Sequence, residues 1–257
     1  MNVYTLSAIE LDVLARLCGK KRIQAIPDEF GELSAEEKSM AKAKTVDSLF
    51  EKALLRIDFD GKTYPGEDAQ RIAEFISESE NVVIIRQHGL VDGTEGLAIW
   101  QRKGQLLRAE QVGENFVLTD FPNADFTEMR DYLISRLPSV SVVNDALVEI
   151  PRLTMRRARR WCFEGKESEA MQLLRETGAP EDIVILLILG FLRKAKALFI
   201  TCLYEEKQPL SLLFDDQKMI TIFENQEIDR GCFAVSEISS VDAAHQVTQL
   251  AAAFERG

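Results

Sequence analysis

Residues 81–122 read "NVVIIRQHGLVDGTEGLAIWQRKGQLLRAEQVGENFVLTDFP", and their pattern indicates the fold class of the first half of the chain. It contains four apolar segments of strand length, and a short glycine-containing stretch separates each segment from the next. Connections this short join antiparallel strands, because a parallel crossover needs a dozen or more residues. The stretch therefore predicts a four-stranded antiparallel meander.

Helical patterns surround this meander. Ser7 and Glu10 have the spacing of a capping box, which predicts that a first helix begins there. Ser34 and Glu37 repeat that spacing before a second helix, which we expect to end near Leu54. The other expected elements of this half are a small hairpin turning at 60–61, a helix in "PGEDAQRIAEFISE" and a helix over 125–137.

The second half of the chain repeats this order of elements. Helices are expected over about 141–178 and in "APEDIVILLILGFL", which begins with the same proline and acidic residues as the earlier helix. Four strand-like segments and a helix from Ser239 follow: "ALFITCLYEE", "PLSLLFDD", "KMITIFEN" and "GCFAVSEI". We therefore predict an α+β fold in which helices flank a mainly antiparallel sheet. Two pseudo-symmetric halves, 1–137 and 138–257, are expected to form one compact unit.

Composition and charge narrow the class of protein. The hydrophobic fraction of 46% is typical of a globular protein, and the net charge of −11 disfavours binding to phosphate backbones or acidic membranes. The longest apolar run, 183–192, is shorter than the roughly 20 residues that span a bilayer. The first residues do not have the pattern of a signal peptide, and the four cysteines are widely spaced. We expect a cytoplasmic protein with free thiols and no membrane insertion.

No segment has the pattern of a known catalytic, cofactor or metal site. Neither His88 nor His245 has a neighbouring cysteine or carboxylate pattern that would make it a catalytic base. "HGLVDGTEG" is neither a dinucleotide-binding motif nor a P-loop, and "DFDG" at 58–61 lacks the final glutamate of a calcium loop. We expect no catalytic residue, no cofactor and no metal ion, and interpret the chain as a binding protein rather than an enzyme.

"MRRARRW" (155–161) places four arginines and a tryptophan in a short segment. As a helix from Arg152 to Phe163, this region would carry one arc of about 100° formed by Arg152, Arg156, Arg159 and Arg160. The opposite, core-facing side would carry Met155, Ala158, Trp161 and Cys162. Three partners remain open for the arginines: the chain's own carboxylates at 164, 167 and 169, an acidic helical protein, or a nucleic acid. Nucleic acid is the least compatible of these, because the rest of the chain is acidic.

Several segments together resemble a known family. They are "TLSAIELDVLARLCG", "SLFEKALLRIDFDGK", the meander of 81–122 and "ISSVDAAHQVTQLAAAF". Their order is similar to that of the ESX (type VII) secretion-associated chaperones, and particularly to Gram-positive relatives associated with type VIIb systems. The resemblance implies a central antiparallel sheet with flanking helices. It also implies that the protein binds a helical WXG- or LXG-type secretion substrate in the cytosol.

The resemblance further implies where such a substrate would bind. Family members hold the tip of a helical hairpin with a loop between sheet strands and with helices of the C-terminal half. The matching segments here are the loop 88–96 and the helical stretch 141–192. Candidate partner-binding residues in the loop are His88, Leu90, Val91, Asp92, Thr94 and Glu95, and those in the helical stretch are Arg152, Arg156, Arg159 and Arg160.

A transcriptional regulator is the second hypothesis. Residues 34–65 place a helix before a short hairpin, as winged-helix proteins do, although the charge of this helix is mixed. An enzyme with an unrecognised site is the third hypothesis. The sequence does not indicate an oligomeric state.

Overall fold

The computed structural model describes residues 3–27, 29–88, 94–121, 126–141, 147–202, 210–225 and 231–252. These residues form nine α-helices and twelve β-strands. The chain divides into two compact units, which comprise residues 1–84 with 93–124 and residues 85–92 with 125–257. The predicted α+β class, with antiparallel strands and flanking helices, is confirmed. The boundary at 137/138 and the joining of both halves into one compact body stay predictions.

The first unit contains a sheet with the strand order β1-β7-β6-β5-β4. Strand β1 pairs with β7, β7 with β6 and β6 with β5, and all three pairs are antiparallel. Its elements are β1 (Tyr4–Ser7), α1 (Ala8–Leu17), α2 (Glu29–Glu32), α3 (Ala35–Glu51), β2 (Leu55–Ile57), β3 (Thr63–Pro65), α4 (Glu67–Glu78), β4 (Asn81–His88), β5 (Thr94–Arg102), β6 (Gln105–Val112) and β7 (Asn115–Phe121). Strands β2 and β3 form a separate two-stranded hairpin. The last four residues of β4 belong to the second unit.

Both predicted capping boxes are present. The Ser7 hydroxyl accepts a hydrogen bond from the Glu10 amide at 3.2 Å, and the Glu10 carboxylate accepts one from the Ser7 amide at 2.7 Å. Ser34 and Glu37 exchange the same pair of bonds, at 3.3 and 2.9 Å. Each box satisfies two amides that a helix start leaves without an intrahelical partner, which explains why α1 and α3 begin where the sequence predicts.

The second unit contains a sheet with the strand order β9-β10-β11-β12-β8, and each neighbouring pair is antiparallel. Its elements are α5 (Phe126–Arg136), β8 (Val148–Pro151), α6 (Arg152–Phe163), α7 (Glu167–Arg175), α8 (Glu181–Phe191), β9 (Lys196–Cys202), β10 (Leu210–Phe214), β11 (Met219–Asn225), β12 (Cys232–Glu237) and α9 (Ser240–Ala252). Helix α8 supplies much of the core, where Val184 and Leu187 are fully buried with Ile220 and Val235 of the sheet. None of the described helices has the length and apolar character required to cross a lipid bilayer.

In each unit a four-residue strand pairs with the strand that comes last in the sequence of that unit. Strand β1 pairs with β7, with Tyr4 opposite Leu118, and β8 pairs with β12, with Val148 opposite Val235. The expectation that helices fill 141–178 is wrong for β8, which lies within that range, and β1 was not predicted from the sequence. Both strands have four residues, which is too short for an alternating pattern to stand out. A two-fold relation between the units stays a prediction.

Candidate partner-binding surface

Helix α6 is amphipathic in the way that the arginine spacing predicts. Met155, Ala158 and Cys162 are buried in the core of the second unit. Trp161 packs partly against that core and remains half-buried, with the Arg157 guanidinium 5.3 Å from its ring centroid. The arginines at 156, 157, 159 and 160 are exposed. The helix therefore presents a guanidinium face to solvent.

Few carboxylates of the described chain neutralise this face. Arg152 pairs with Glu224 on β11, and the Arg160 Nε lies 3.4 Å from a Glu164 oxygen. Glu164 also accepts a 2.9 Å hydrogen bond from Lys166, which lowers the pKa of Glu164 below its ordinary value. Within the described residues, no ion pair joins Glu167 or Glu169 to α6. Arg156, Arg157 and Arg159 likewise have no carboxylate partner among the described residues. These three guanidinium groups remain available for a partner.

One depression borders the guanidinium face, and we call it the arginine groove. It has a volume of about 570 Å³ and is lined by Leu153, Thr154, Arg156, Arg157, Arg160 and Leu173. The Leu153 side chain is 79% exposed, which is unusual for a leucine beside so many charges. Planar guanidinium groups bind carboxylates through two parallel hydrogen bonds, and the leucines offer apolar contact. The groove can therefore accept an acidic segment that also carries an aliphatic side chain.

A second depression includes Arg159 and Phe163 of α6 in its lining, and we call it the sheet cleft. Its volume is about 330 Å³. It is lined by His88, Arg159, Phe163, Gly190, Phe191, Arg193, Ala195, Ala197, Phe199, Ser211, Leu213 and Ile222. Phe163 is 62% exposed and Phe199 is 45% exposed. The cleft is thus an open apolar depression with two arginines and a histidine at its lining.

The strand register explains the apolar floor of the cleft. Phe199 lies opposite Ser211, and Ser211 lies opposite Ile222, so these three side chains share one sheet face. Helix α8 ends at Phe191, and the chain reverses at Arg193, whose φ of 56° is left-handed. Because α8 ends there, part of this face remains open to solvent.

Three of the six predicted loop residues lie on strands of the described structure. His88 ends β4, as expected, and its Nε2 lies 3.1 Å from the backbone oxygen of Arg193 at the sheet cleft. Thr94 and Glu95 lie at the start of β5, so the predicted loop is shorter than 88–96. The other three predicted loop residues, Leu90, Val91 and Asp92, lie outside the described residues.

Several cleft residues were not predicted from the sequence. Phe191, Arg193 and Phe199 come from a helix end, a turn and a strand, which fold brings together. The one available signal was the alternation of Ala195, Ala197 and Phe199, because small side chains on one strand face leave room above it.

The described residues also include potential metal ligands and cysteine thiols. Within the described residues, no group of three or more histidine, cysteine or acidic side chains is placed to hold a metal ion. Burial raises the pKa of the Cys18 thiol to about 11, and burial also raises the pKa of Cys162. Both thiols are therefore protonated near neutral pH and are poor nucleophiles.

Comparison with known proteins agrees with the predicted fold. No protein-family model matches the chain, and no curated protein matches it in sequence. Among solved structures, the chain is similar to the Mycobacterium tuberculosis type VII secretion system chaperone EspG5, solved in complex with the PE25–PPE41 dimer. The TM-score is 0.65, over 96% of this chain and 94% of that chain, at 14% identity. The chain therefore has the fold of a type VII secretion chaperone.

Proposed function

We propose that the protein is a cytoplasmic chaperone that binds a helical type VII secretion substrate of the WXG or LXG kind and keeps it soluble before export. The observation that carries this proposal is the likeness to EspG5 over nearly the whole of both chains. The structure of that chaperone contains a PE–PPE dimer, so its fold is compatible with holding another protein. The open surface of the second unit supports the same reading.

In this proposal the two depressions have different tasks. The sheet cleft takes apolar side chains from the substrate's tip, where fully burying one large side chain contributes about 1.5–3 kcal/mol. The guanidinium groups of Arg156, Arg157 and Arg159 have no carboxylate partner among the described residues, and they bind substrate carboxylates through charge-assisted hydrogen bonds. Apolar burial thus supplies most of the affinity, while the arginines fix orientation and exclude basic partners.

Co-expression tests the proposal directly. The full chain is produced together with each WXG- or LXG-type protein encoded at the same locus, and the mixtures are separated by size exclusion. We expect a stable complex with at least one of them. Failure to co-elute with any of these proteins contradicts the proposal.

Charge reversal then tests the surface. Arg156→Glu with Arg159→Glu is expected to weaken substrate binding by about tenfold or more, because two attractive contacts become repulsive. Lys42→Glu with Lys44→Glu on the exposed face of α3 makes the same charge change and serves as the control. The thermal unfolding midpoint of the isolated protein should be unchanged in both variants. A lowered midpoint in the arginine variant would instead indicate that these residues stabilise the fold through internal pairing.

A further inference from the structure

The β2–β3 hairpin ends in a turn that is held by its own hydrogen bonds. The Asp58 amide donates to the Lys62 carbonyl at 2.9 Å, and the Gly61 amide donates to the Asp58 carbonyl at 3.1 Å. One oxygen of the Asp58 carboxylate accepts from the amides of Asp60 and Lys62, at 3.0 and 2.7 Å. Gly61 supplies the left-handed φ of 76° that the turn requires. The tip of the hairpin is therefore conformationally fixed before it meets any partner.

This fixed turn presents an uncovered aromatic side chain. Phe59 is fully exposed, and Ile57 and Tyr64 of the same hairpin are also exposed. A large apolar side chain on a fixed turn loses little conformational freedom when it is buried by a partner. Aromatic residues presented in this way are the typical anchors of protein interfaces. An apolar pocket on a partner would therefore bury Phe59 favourably.

The charges around Phe59 define that pocket further. Asp60 forms no ion pair within the described part of the chain, whereas the Asp58 carboxylate is engaged by backbone amides. Arg56 and Lys62 lie below the tip, so the acidic character is confined to the residues that flank Phe59. The complementary site is an apolar depression with an unpaired basic residue at its edge.

The sheet cleft has these properties. Its apolar floor includes Phe191 and Phe199, and its volume of about 330 Å³ admits one aromatic side chain. Arg159 and Arg193 line it, and neither has a carboxylate partner among the described residues. The chain thus carries both an aromatic anchor beside an acidic residue, Phe59 with Asp60, and an apolar cleft lined by basic residues.

We infer that the Phe59 hairpin of one copy of this chain inserts into the sheet cleft of a second copy, with Asp60 facing Arg159 and Arg193. The contact joins two different surfaces, so it is heterologous. One hairpin tip buries far less than the roughly 1,200 Å² of a stable interface, so the self-association is weak and reversible. If the proposed function holds, a substrate that enters the same cleft displaces the second copy.

Sedimentation velocity of the full chain, without any substrate, tests this inference. The weight-average sedimentation coefficient is expected to rise between about 1 and 500 µM, and the rise should shrink at high salt because the Asp60 contact is screened. Phe59→Ala should weaken the association by about tenfold or more, because it removes the anchor. Ile57→Ala in the same hairpin is the matched control and should weaken it much less.

A charge exchange tests the register of the contact. Asp60→Lys and Arg159→Glu should each weaken association, and an equimolar mixture of the two variants should recover it, because each then offers the surface that the other lacks. Wild-type protein that remains monomeric throughout the range overturns the inference. So does a Phe59→Ala variant that associates like wild type. Since substrate is absent, these outcomes are independent of whether the proposed function is correct.

Discussion

Glu10 shows how much one carboxylate contributes to the first unit. Its side chain accepts hydrogen bonds from the Ser7 amide, the Ser48 hydroxyl at 2.6 Å and the Lys52 ammonium at 2.5 Å. It therefore caps α1 and also ties α1 to the end of α3. Burial raises the pKa of Glu10, but the hydrogen bonds from Lys52, Ser48 and Ser7 together outweigh burial. The pKa in the folded protein lies below the ordinary value of 4.5.

A carboxylate whose pKa is lower in the folded state than in the unfolded state makes the free energy of unfolding depend on pH. Glu10 stabilises the fold above the unfolded pKa near 4.5, and this stabilisation is lost as the pH falls through the lower, folded pKa. We expect Glu10→Gln to reduce the free energy of unfolding at pH 7 by about 1–3 kcal/mol. The difference from wild type should narrow toward pH 3.

Urea unfolding followed by circular dichroism between pH 3 and 7 measures this difference. Glu37→Gln is the matched control, because Glu37 occupies the same place in the second capping box but is exposed. Its effect at pH 7 should be smaller. A Glu10→Gln difference that stays constant across the whole pH range contradicts the argument.

At the scale of elements, the packing of α8 on the sheet sets the shape of the sheet cleft. A methyl group added at Gly190 would lie 2.5 Å from a terminal carbon of Leu213, which also lines the cleft. Because that carbon ends a flexible side chain, Leu213 can rotate rather than force α8 away. Alanine also favours a helix over glycine by about 0.5–1 kcal/mol, which offsets the crowding.

We therefore expect Gly190→Ala to change the free energy of unfolding by less than about 1 kcal/mol. It should nevertheless weaken ligand binding at the cleft, because the displaced Leu213 takes up space there. Calorimetric titration with a substrate that co-elutes, together with thermal unfolding, measures both effects.

Gly178 provides a control in which alanine is expected to change stability but not binding. It lies between α7 and α8 with a φ of 83°, and no atom of the described residues lies within 4 Å of an added methyl group. Gly178→Ala should cost about 1–2 kcal/mol of stability through backbone strain and leave binding unchanged. If Gly190→Ala binds like wild type, Leu213 does not control the cleft.

Comparison of elements shows which signals the sequence carries. The capping boxes at Ser7 and Ser34 and the glycine turns of 81–122 are local patterns, and the structure confirms them. Strands β1 and β8 were missed because four residues show no clear period and their partners are distant in sequence. The sheet cleft was missed for a related reason, since its lining comes from six elements or their ends. The guanidinium face was predicted, because it lies on one helix.

At the scale of the whole molecule, net charge separates the chaperone hypothesis from the regulator hypothesis. Helix α3 followed by the β2–β3 hairpin does reproduce the order of a winged helix. The chain nevertheless carries a net charge of −11, so a phosphate backbone that approaches one basic face is repelled by the remainder. The exposed face of α3 also carries both acidic and basic side chains.

We expect a 30-base-pair duplex to bind more weakly than about 10 µM at physiological salt. Fluorescence anisotropy with a labelled duplex, repeated at several salt concentrations, measures the affinity. An unrelated basic DNA-binding protein serves as the positive control. Salt-sensitive binding below 1 µM would contradict the charge argument and favour the regulator.

The pairing of β1 with β7 has a consequence for how the protein is made. Tyr4 and Leu6 are buried in the finished sheet, opposite Leu118 and Phe116. A ribosome adds about 5–20 residues per second, so β1 is synthesised roughly 6–20 seconds before β7. During that interval the nascent chain exposes an apolar strand whose partner does not yet exist. The first unit therefore completes its sheet only after β7 has been synthesised, and a chain arrested before residue 115 has no partner for β1.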